Sequence, residues 1–231
     1  MKRLLFSTLL FTAYLNAFST TNVQYLYGHF AGPTFLDSRS GNKQTVTLEH
    51  FSKGDYGDVY TFVDSTYAPQ GLQFTGDKNE FYGEFSPRVS LTKLAGLAPS
   101  EGIIIEWYIA SQYNGSSQYH AWLYGAGVDL AIPKFSLFSL NVYRKIQNIN
   151  DDTYQLSANY SLPLGERCHF EGFVDWTGRD LLSQNQLLFD LAPTVGMTKN
   201  HLEIGTEWHH YEENTHHTLN NVLQGMVKYR W

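Results

Sequence analysis

The stretch Glu80-Phe-Tyr-Gly-Glu-Phe-Ser-Pro-Arg-Val-Ser-Leu91 alternates strictly between two kinds of residue. One set is Phe81, Gly83, Phe85, Pro87, Val89 and Leu91, and the other is Glu80, Tyr82, Glu84, Ser86, Arg88 and Ser90. This period of two indicates a strand whose faces meet unlike environments. Strands of soluble sandwiches are usually about 5–6 residues long, whereas an outer-membrane strand needs about 9–11, with lipid on one side and a polar lumen on the other. The stretch therefore predicts a strand of a membrane barrel.

The N-terminus predicts export. Lys2 and Arg3 form a short basic region, and residues 4–15 form an apolar core that is too short to span a bilayer as a helix. A membrane tether or a cytosolic amphipathic start is the alternative. Residues 1–17 are interpreted as a signal peptide cleaved after Ala17, with cleavage after Ser19 as the other option. Residues 18–231 are then one barrel domain.

Composition narrows the class of protein. Aromatic residues make up 16% of the chain, and the mean hydropathy is −0.32. No later segment reaches the roughly 18 uninterrupted apolar residues of a transmembrane helix. The net charge of −6 argues against a nucleic-acid partner, which would require a basic face. The single cysteine, Cys168, excludes an internal disulfide and is interpreted as a small apolar residue.

Alternation recurs along the rest of the chain. It predicts an all-β, antiparallel, up-and-down transmembrane barrel of about twelve strands, or of ten if a weak end segment fails to pair. The strands are predicted at 21–30, 45–51, 58–64, 80–91, 101–113, 119–130, 135–147, 153–162, 168–176, 187–197, 202–208 and 219–231. Long outer loops are expected at 31–44 and 65–79, and short periplasmic turns at 132–134, 163–166 and 198–200. The connection 92–102 is longer than a periplasmic turn usually is.

The C-terminal residues are a separate indication of an outer-membrane barrel. Val227, Tyr229 and Trp231 alternate up to an aromatic terminus, much like the C-terminal assembly signal of outer-membrane barrels. The signal usually ends in Phe and carries Gly where this chain has Met226. We therefore expect the barrel-assembly machinery to be a partner.

Six short motifs, in order, resemble the nucleoside-specific channel family of Tsx and OmpK. They are Thr47-Leu-Glu-His50, Gly57-Asp-Val-Tyr60 with Asp64, Phe85-Ser-Pro-Arg-Val-Ser-Leu91, Glu106-Trp-Tyr108, Trp122-Leu-Tyr-Gly-Ala-Gly-Val-Asp129 and Leu140-Asn-Val-Tyr143. The resemblance covers about residues 44–143. It implies a monomeric twelve-stranded barrel in the outer membrane of a Gram-negative bacterium, surrounded by lipid and lipopolysaccharide. It also implies a narrow lumen for nucleosides and a possible role as a phage or colicin receptor.

The predicted lumen face carries the groups that a nucleoside channel needs. Aromatic rings stack on bases, and this stacking contributes about 1–3 kcal/mol of binding free energy per base. Polar groups bind the ribose hydroxyls. The lining is predicted to comprise Asp58, Tyr60, Phe62, Asp64, Tyr82, Glu84, Arg88, Glu106, Tyr108, Asp129, Asn141, Tyr143, Lys145, Glu171, Phe173 and Asp175. The alternative for Arg88 and several carboxylates is an ion-pair network that only stabilises the barrel.

Other aromatic residues are predicted to face outward. Trp107, Trp122, Tyr124, Tyr154, Tyr160, Trp176 and Trp208 are expected in girdles at the membrane interfaces. A carbohydrate-binding platform is the functional alternative.

Candidate residues for two further chemistries, metal binding and lipid hydrolysis, occur in the sequence. His210 would lie opposite His217 if Glu213-Asn214 is a hairpin tip, which makes the pair a weak candidate for zinc or copper, but loop histidines are more often solvated. No metal or cofactor is therefore expected. A lipid hydrolase would need Ser and His together, and only His120 near Ser116 and Ser117 suggests this. The chain is thus not expected to be an enzyme; a non-transporting structural barrel or a receptor remains the main alternative to a channel.

Overall fold

The computed structural model describes residues 18–30, 41–71, 77–96, 102–214 and 218–231. The predicted signal peptide at 1–17, the residue His217 and parts of the longer connections lie outside these ranges. The described residues form strands β1 (Phe18–Phe30), β2 (Gly41–Gly54), β3 (Gly57–Tyr67), β4 (Asn79–Ser90), β5 (Ile104–Ser116), β6 (His120–Leu130), β7 (Leu137–Gln147), β8 (Thr153–Pro163), β9 (Cys168–Thr177), β10 (Asp180–Asp190), β11 (Leu202–Glu213) and β12 (Thr218–Arg230).

These twelve strands of the described chain close into one antiparallel barrel. Each strand pairs with its neighbours in sequence, and β1 pairs with β12, for example through Tyr25 opposite Val227. Closure leaves no strand edge unpaired. We call the end with Phe18 and Trp231 the terminal end, and the opposite one the loop end. The predicted up-and-down twelve-stranded barrel is confirmed.

Alternation places every second side chain outside. Phe81, Phe85 and Val89 are exposed on the outer face, whereas Tyr82, Glu84 and Arg88 between them line the interior. The outer face is apolar because those positions carry the branched and aromatic residues of each strand. Trp107, Trp122, Tyr124, Tyr154, Trp176 and Trp208 are exposed there, as expected for outward aromatics; that they form girdles remains a prediction.

Tyr160 differs from the other outward aromatics. Its ring stacks between those of Phe138 and Phe170, and its hydroxyl donates a hydrogen bond to Oδ1 of Asn185. Asn185 is buried although its position in β10 faces outward, opposite Gly172. The tyrosine therefore covers a polar group on the outer surface.

One predicted strand was misplaced. The chain from 187 to 197 was expected to be a strand, but β10 runs from Asp180 to Asp190 and a 3₁₀ turn follows at Ala192–Val195. The Asp190 carboxylate accepts hydrogen bonds from the backbone N–H groups of Ala192 and Asn200, both at 3.0 Å, which ends the strand. Pro193 lies in the turn and has no N–H to continue a ladder. The first half of β10 was missed because Ser183, Gln184 and Asn185 are polar on both faces.

The connection from β4 to β5 begins with a short helix, α1 (Leu91–Leu94). The Ser90 hydroxyl accepts a hydrogen bond from the N–H of Lys93, which caps the first turn. Leu91, predicted as the last strand residue, is the first residue of this helix. No helix in the described part of the chain has the length and apolar character to cross a membrane.

Candidate functional site

The barrel interior contains a cavity of about 380 Å³, whose lining includes Phe51 toward the terminal end and Lys43 toward the loop end. Most of the sequence-predicted lumen residues line it: Asp58, Tyr60, Phe62, Asp64, Tyr82, Glu84, Arg88, Asn141, Tyr143, Glu171, Phe173 and Asp175. They come together because strand alternation turns them all inward. That these residues contact a substrate remains a prediction.

The other predicted lining residues lie elsewhere in the barrel. Tyr108 and Asp129 are buried in a charged cluster near the terminal end. Glu106 accepts a 2.5 Å hydrogen bond from the hydroxyl of Ser90. Lys145 lies toward the loop end, where it lines a smaller pocket with Asp152 and Asp180.

Three rings form an aromatic ladder along one wall of the cavity. The centroids of Tyr60 and Phe62 are 5.9 Å apart, and those of Phe62 and Tyr82 are also 5.9 Å apart. Tyr60 and Phe62 are two positions apart on β3, so both point inward, and Tyr82 follows on the adjacent strand β4. Phe173 reaches the same cavity from β9. The ring planes are tilted by 51° between Tyr60 and Phe62 and by 49° between Phe62 and Tyr82, so the wall offers a series of separate aromatic faces.

Polar groups accompany the ladder. The hydroxyl of Tyr60 donates to Glu49 at 3.0 Å, and the hydroxyl of Tyr82 donates to Glu84 at 2.5 Å. The Asp64 carboxylate accepts a 2.5 Å hydrogen bond from the hydroxyl of Thr47. Carboxylates held in this way keep further lone pairs for hydroxyl donors such as those of a sugar.

Arg88 is the centre of a compact charged cluster near the terminal end. Its Nε and Nη2 donate to the two carboxylate oxygens of Asp58 at 2.8 and 2.7 Å, and its Nη1 lies 3.0 Å from Asp129 Oδ1. The guanidinium carbon is 4.1 Å from the centroid of the Tyr108 ring. Lys53, from β2, reaches Asp129 at 3.3 Å. For Arg88, Asp58 and Asp129 this geometry matches the ion-pair network that the sequence left open.

The opposite wall carries a polar network that the sequence did not predict. Lys228 lies 2.5 Å from Glu171 and donates to Gln186 at 3.4 Å. Gln186 in turn donates to Gln24 at 3.0 Å and to Glu207 at 2.9 Å. Gln186 was missed because β10 was misplaced, and Gln24 because the face of β1 was ambiguous. Alternation through β11 and β12 would have identified Glu207 and Lys228.

Part of the wall formed by β5 and β6 packs against the ring of Tyr143. Ala110, Ala121 and Leu123 are buried against the ring of Tyr143. Gly125 continues this inward row, and a Cβ there would overlap the carbonyl oxygen of Val142. The glycine therefore permits a close approach between β6 and β7.

The predicted cross-strand partner of His210 is wrong, because the register places His210 opposite Asn221 and pairs Glu213 with Thr218. His217 lies outside the described residues, so a metal site at His210 and His217 remains a prediction. Nδ1 of His210 lies 2.7 Å from Oδ1 of Asn221. Within the described ranges, no group of three or more His, Cys, Asp or Glu residues is arranged to hold a metal ion.

Ser116 has a structural partner in the turn next to His120. Its hydroxyl accepts hydrogen bonds from the N–H groups of Gln118 and Tyr119 at 3.4 and 3.3 Å. The N–H of His120 donates to Oδ1 of Asn148 at 2.8 Å. These contacts organise the β5–β6 connection.

The barrel has counterparts among solved structures. A KdgM porin in complex with disordered oligogalacturonate superposes with a TM-score of 0.53 over 90% of this chain and 98% of that chain. The two sequences are 8% identical, so the likeness shows the fold alone.

Sequence relatives define the family. The nucleoside-specific channel-forming protein Tsx of Klebsiella pneumoniae is 30% identical over 185 residues, which cover 69% of this chain and 61% of the relative. The Tsx protein of Salmonella typhimurium is 31% identical over 173 residues, covering 64% and 60%. Outer membrane protein OmpK of Vibrio parahaemolyticus is 26% identical over 148 residues, covering 57% and 55%. The chain thus spans about three fifths of the length of the Tsx relatives it matches.

The family model described as nucleoside-specific channel-forming protein, Tsx, matches residues 18–185. This range includes all six motifs and strands β1 to β9. The chain belongs to the Tsx family of nucleoside-specific channel-forming proteins.

Proposed function

We propose that this protein is a channel of the Gram-negative outer membrane through which nucleosides diffuse. The observation that carries the proposal is the aromatic ladder Tyr60–Phe62–Tyr82, which lies in the cavity beside the carboxylates of Asp64 and Glu84. The names of the Tsx relatives, which say that they are nucleoside-specific channels, support the same substrate.

The chemistry of the lining suits an uncharged nucleoside. A base stacks on aromatic faces whatever its identity, since every base has a π-face. Hydroxyl groups of the ribose donate to carboxylates and accept from amide side chains such as Asn141, which lines the cavity. Stacking and hydrogen bonding at several depths allow the solute to move from site to site. Binding at each site is weak enough for the solute to leave it.

The surroundings of the barrel follow from the same proposal. The apolar outer face contacts lipid and lipopolysaccharide, and the barrel-assembly machinery inserts the chain as a monomer. A role as a phage or colicin receptor is the alternative function, in which the barrel displays its loops and transports nothing.

Liposome swelling separates these functions. Purified protein in liposomes should admit adenosine faster than sugars of similar size. Equal rates for adenosine and sugars would contradict nucleoside selectivity, whereas no permeation at all would contradict the channel and favour the receptor. Hydrolysis of phospholipid or lipid A by the purified protein would instead indicate an enzyme.

A matched pair of variants tests the ladder itself. Phe62→Ala removes its central ring, whereas Phe81→Ala removes a ring of the same size from the outer face. Adenosine block of the ionic current should weaken about 5- to 150-fold in Phe62→Ala, the range for loss of one stacking partner, and stay unchanged in Phe81→Ala. An equal effect of both variants would contradict a role of the aromatic ladder in nucleoside binding.

A further inference from the structure

Two neighbouring side chains that line the cavity each carry a buried polar atom without a hydrogen-bond partner in the described chain. Gln224 on β12 is 4% exposed and His209 on β11 is 8% exposed, and both residues line the cavity. The atoms are Oε1 of Gln224 and Nε2 of His209. A buried polar atom left in this way costs free energy, which a ligand recovers by supplying the missing hydrogen bond.

The two side chains point inward from adjacent strands. Gln224 is directly opposite Glu207, which precedes His209 by two positions on β11. Gln224 and His209 are therefore diagonal neighbours on the inner face, a separation of about 7–8 Å between Cα atoms. Both also pack against β1: a Cβ on Gly28 would lie 2.8 Å from Cγ of Gln224, and the ring centroids of Phe30 and His209 are 5.6 Å apart. We call Gln224 and His209 the Gln–His pair.

The orientation of the Gln224 amide follows from its neighbours. Its Nε2 donates to Oε1 of Glu207 at 3.0 Å, and Nε2 of Gln186 donates to the other oxygen of the same carboxylate at 2.9 Å. An ionised carboxylate only accepts hydrogen bonds, so the nitrogen of the Gln224 amide faces Glu207. Oε1 of Gln224 is thus an acceptor that requires a donor from the ligand.

The surroundings of His209 favour the opposite role for its imidazole. Nζ of Lys43, a residue that also lines the cavity, lies 4.5 Å from the centroid of the Phe30 ring that His209 contacts. A positive charge at this position attracts the partially negative acceptor atoms of a ligand. A neutral imidazole with its proton on Nε2 donates to such an atom. The pair therefore presents one acceptor and one donor side by side.

We propose that the Gln–His pair binds the edge of a nucleobase that carries an exocyclic amino group. In adenine and cytosine the amino group, which is a donor, lies next to a ring nitrogen, which is an acceptor. Oε1 of Gln224 accepts from the amino group, and Nε2 of His209 donates to the ring nitrogen. This role rests on the proposed function, because it assigns contacts to the base in the same cavity. Both residues lie beyond residues 18–185, which the family model matches.

The pair adds a selectivity that the aromatic ladder lacks. Stacking accepts every base, since each has a π-face. An acceptor that stays unpaired instead disfavours a base without the amino group. Adenosine and purine riboside, which is the same nucleoside without the amino group, differ in this respect alone.

Block of the ionic current through the protein in planar bilayers compares the two nucleosides. Adenosine should block at a concentration about 2- to 13-fold lower than purine riboside does, the factor for one net hydrogen bond. This comparison uses the unmodified protein, so it holds even if a variant fails to fold. Equal block by the two nucleosides would overturn the proposal.

The variant Gln224→Met assigns the preference to one residue. Methionine keeps the length of the side chain but has no amide oxygen, so the preference for adenosine should disappear. Gln112→Met is the matched control, because Gln112 also lines the cavity and donates from Nε2 to an inward glutamate, Glu84, at 2.9 Å. It should leave the preference unchanged, and any loss of affinity should be equal for both nucleosides. A preference that survives Gln224→Met, or that both variants abolish, would contradict the role of Gln224.

His209→Phe has a different expected result. Phenylalanine keeps a ring against Phe30 but removes both nitrogens. Because adenosine and purine riboside share their ring nitrogens, block by both should weaken about 2- to 13-fold while the preference for adenosine persists. Unchanged block by both nucleosides would contradict the role of His209.

The same recordings distinguish the Gln–His pair from the nucleoside channel. Block by both nucleosides at equal concentration contradicts the role of the pair alone and leaves the nucleoside channel standing. Absence of block by either nucleoside, or of any current, contradicts both.

Discussion

Arg88 and Asp58 form a bidentate ion pair inside the barrel, with Nε and Nη2 of the arginine 2.8 and 2.7 Å from the two carboxylate oxygens. The residues are directly opposite each other on β4 and β3, so the register of two adjacent strands aligns them. Only 10% of the Arg88 side chain and 2% of the Asp58 side chain are exposed. A pair this buried contributes most when both partners are present, because each alone is a desolvated charge.

Replacing Arg88 with Ala should therefore destabilise the folded barrel by about 3–5 kcal/mol, the usual cost of leaving a buried charge without its partner. Urea unfolding of the barrel in detergent or liposomes measures this. The stability of Arg88→Lys should lie between those of the wild type and Arg88→Ala, since lysine retains the charge but not the bidentate geometry.

Arg144→Ala is the control for the loss of an arginine. Arg144 pairs with Asp152 at 3.2 Å, but both side chains are more than two fifths exposed, so its loss should cost less than about 1 kcal/mol. Equal unfolding midpoints for Arg88→Ala and Arg144→Ala would show that the interior pair contributes no more than a surface pair.

The free-energy cost of a charged residue on the outer face should depend on its depth in the membrane. Val142 is exposed in the middle of β7, and arginine there should cost about 2–4 kcal/mol of folding free energy in a bilayer. Val89 lies at the end of β4, where the same substitution should cost about 0–1 kcal/mol. Refolding into liposomes from urea compares the two variants. If Val142→Arg were tolerated while Arg88→Leu prevented insertion, the assignment of the faces would be reversed.

Gly125 should not accept a side chain. Its Cβ would overlap the carbonyl oxygen of Val142 on the paired strand, so Gly125→Ala forces β6 and β7 apart and should cost about 1–3 kcal/mol. Around Gly225 of β12, no heavy atom of the described residues lies within 4 Å of a Cβ position, so Gly225→Ala should be nearly neutral. Thermal unfolding measures both, and a Gly225→Ala barrel less stable than Gly125→Ala would contradict the close approach.

Tyr160 should stabilise the outer surface through its hydroxyl. Tyr160→Phe keeps the stacked ring but leaves Asn185 without this donor, which should cost about 1–3 kcal/mol. Tyr154, on the same strand and face, is 65% exposed, and Tyr154→Phe should change the unfolding midpoint little. Similar midpoints for the two variants would show that the Asn185 contact adds nothing.

Strand alternation in the sequence was sufficient to predict the closed barrel and the inward residues from Asp58 to Asp175 that line the cavity. The reason is physical: a period of two assigns each side chain to a face before any partner is known. Where alternation fails, so does the prediction. The polar run Ser183-Gln184-Asn185 hid the start of β10, and Gln186 was missed with it.

Contacts between strands that are distant around the barrel depend on the tertiary structure. Nothing in the sequence indicates that Arg88 on β4 also binds Asp129 on β6, or that Lys228 on β12 reaches Glu171 on β9. Glu84 and Asp175 are each visible in the sequence as inward carboxylates, but closure of the barrel alone decides that they line the same cavity. The sequence determines which side of the wall a residue occupies, and the register and curvature of the closed sheet determine which residues it faces.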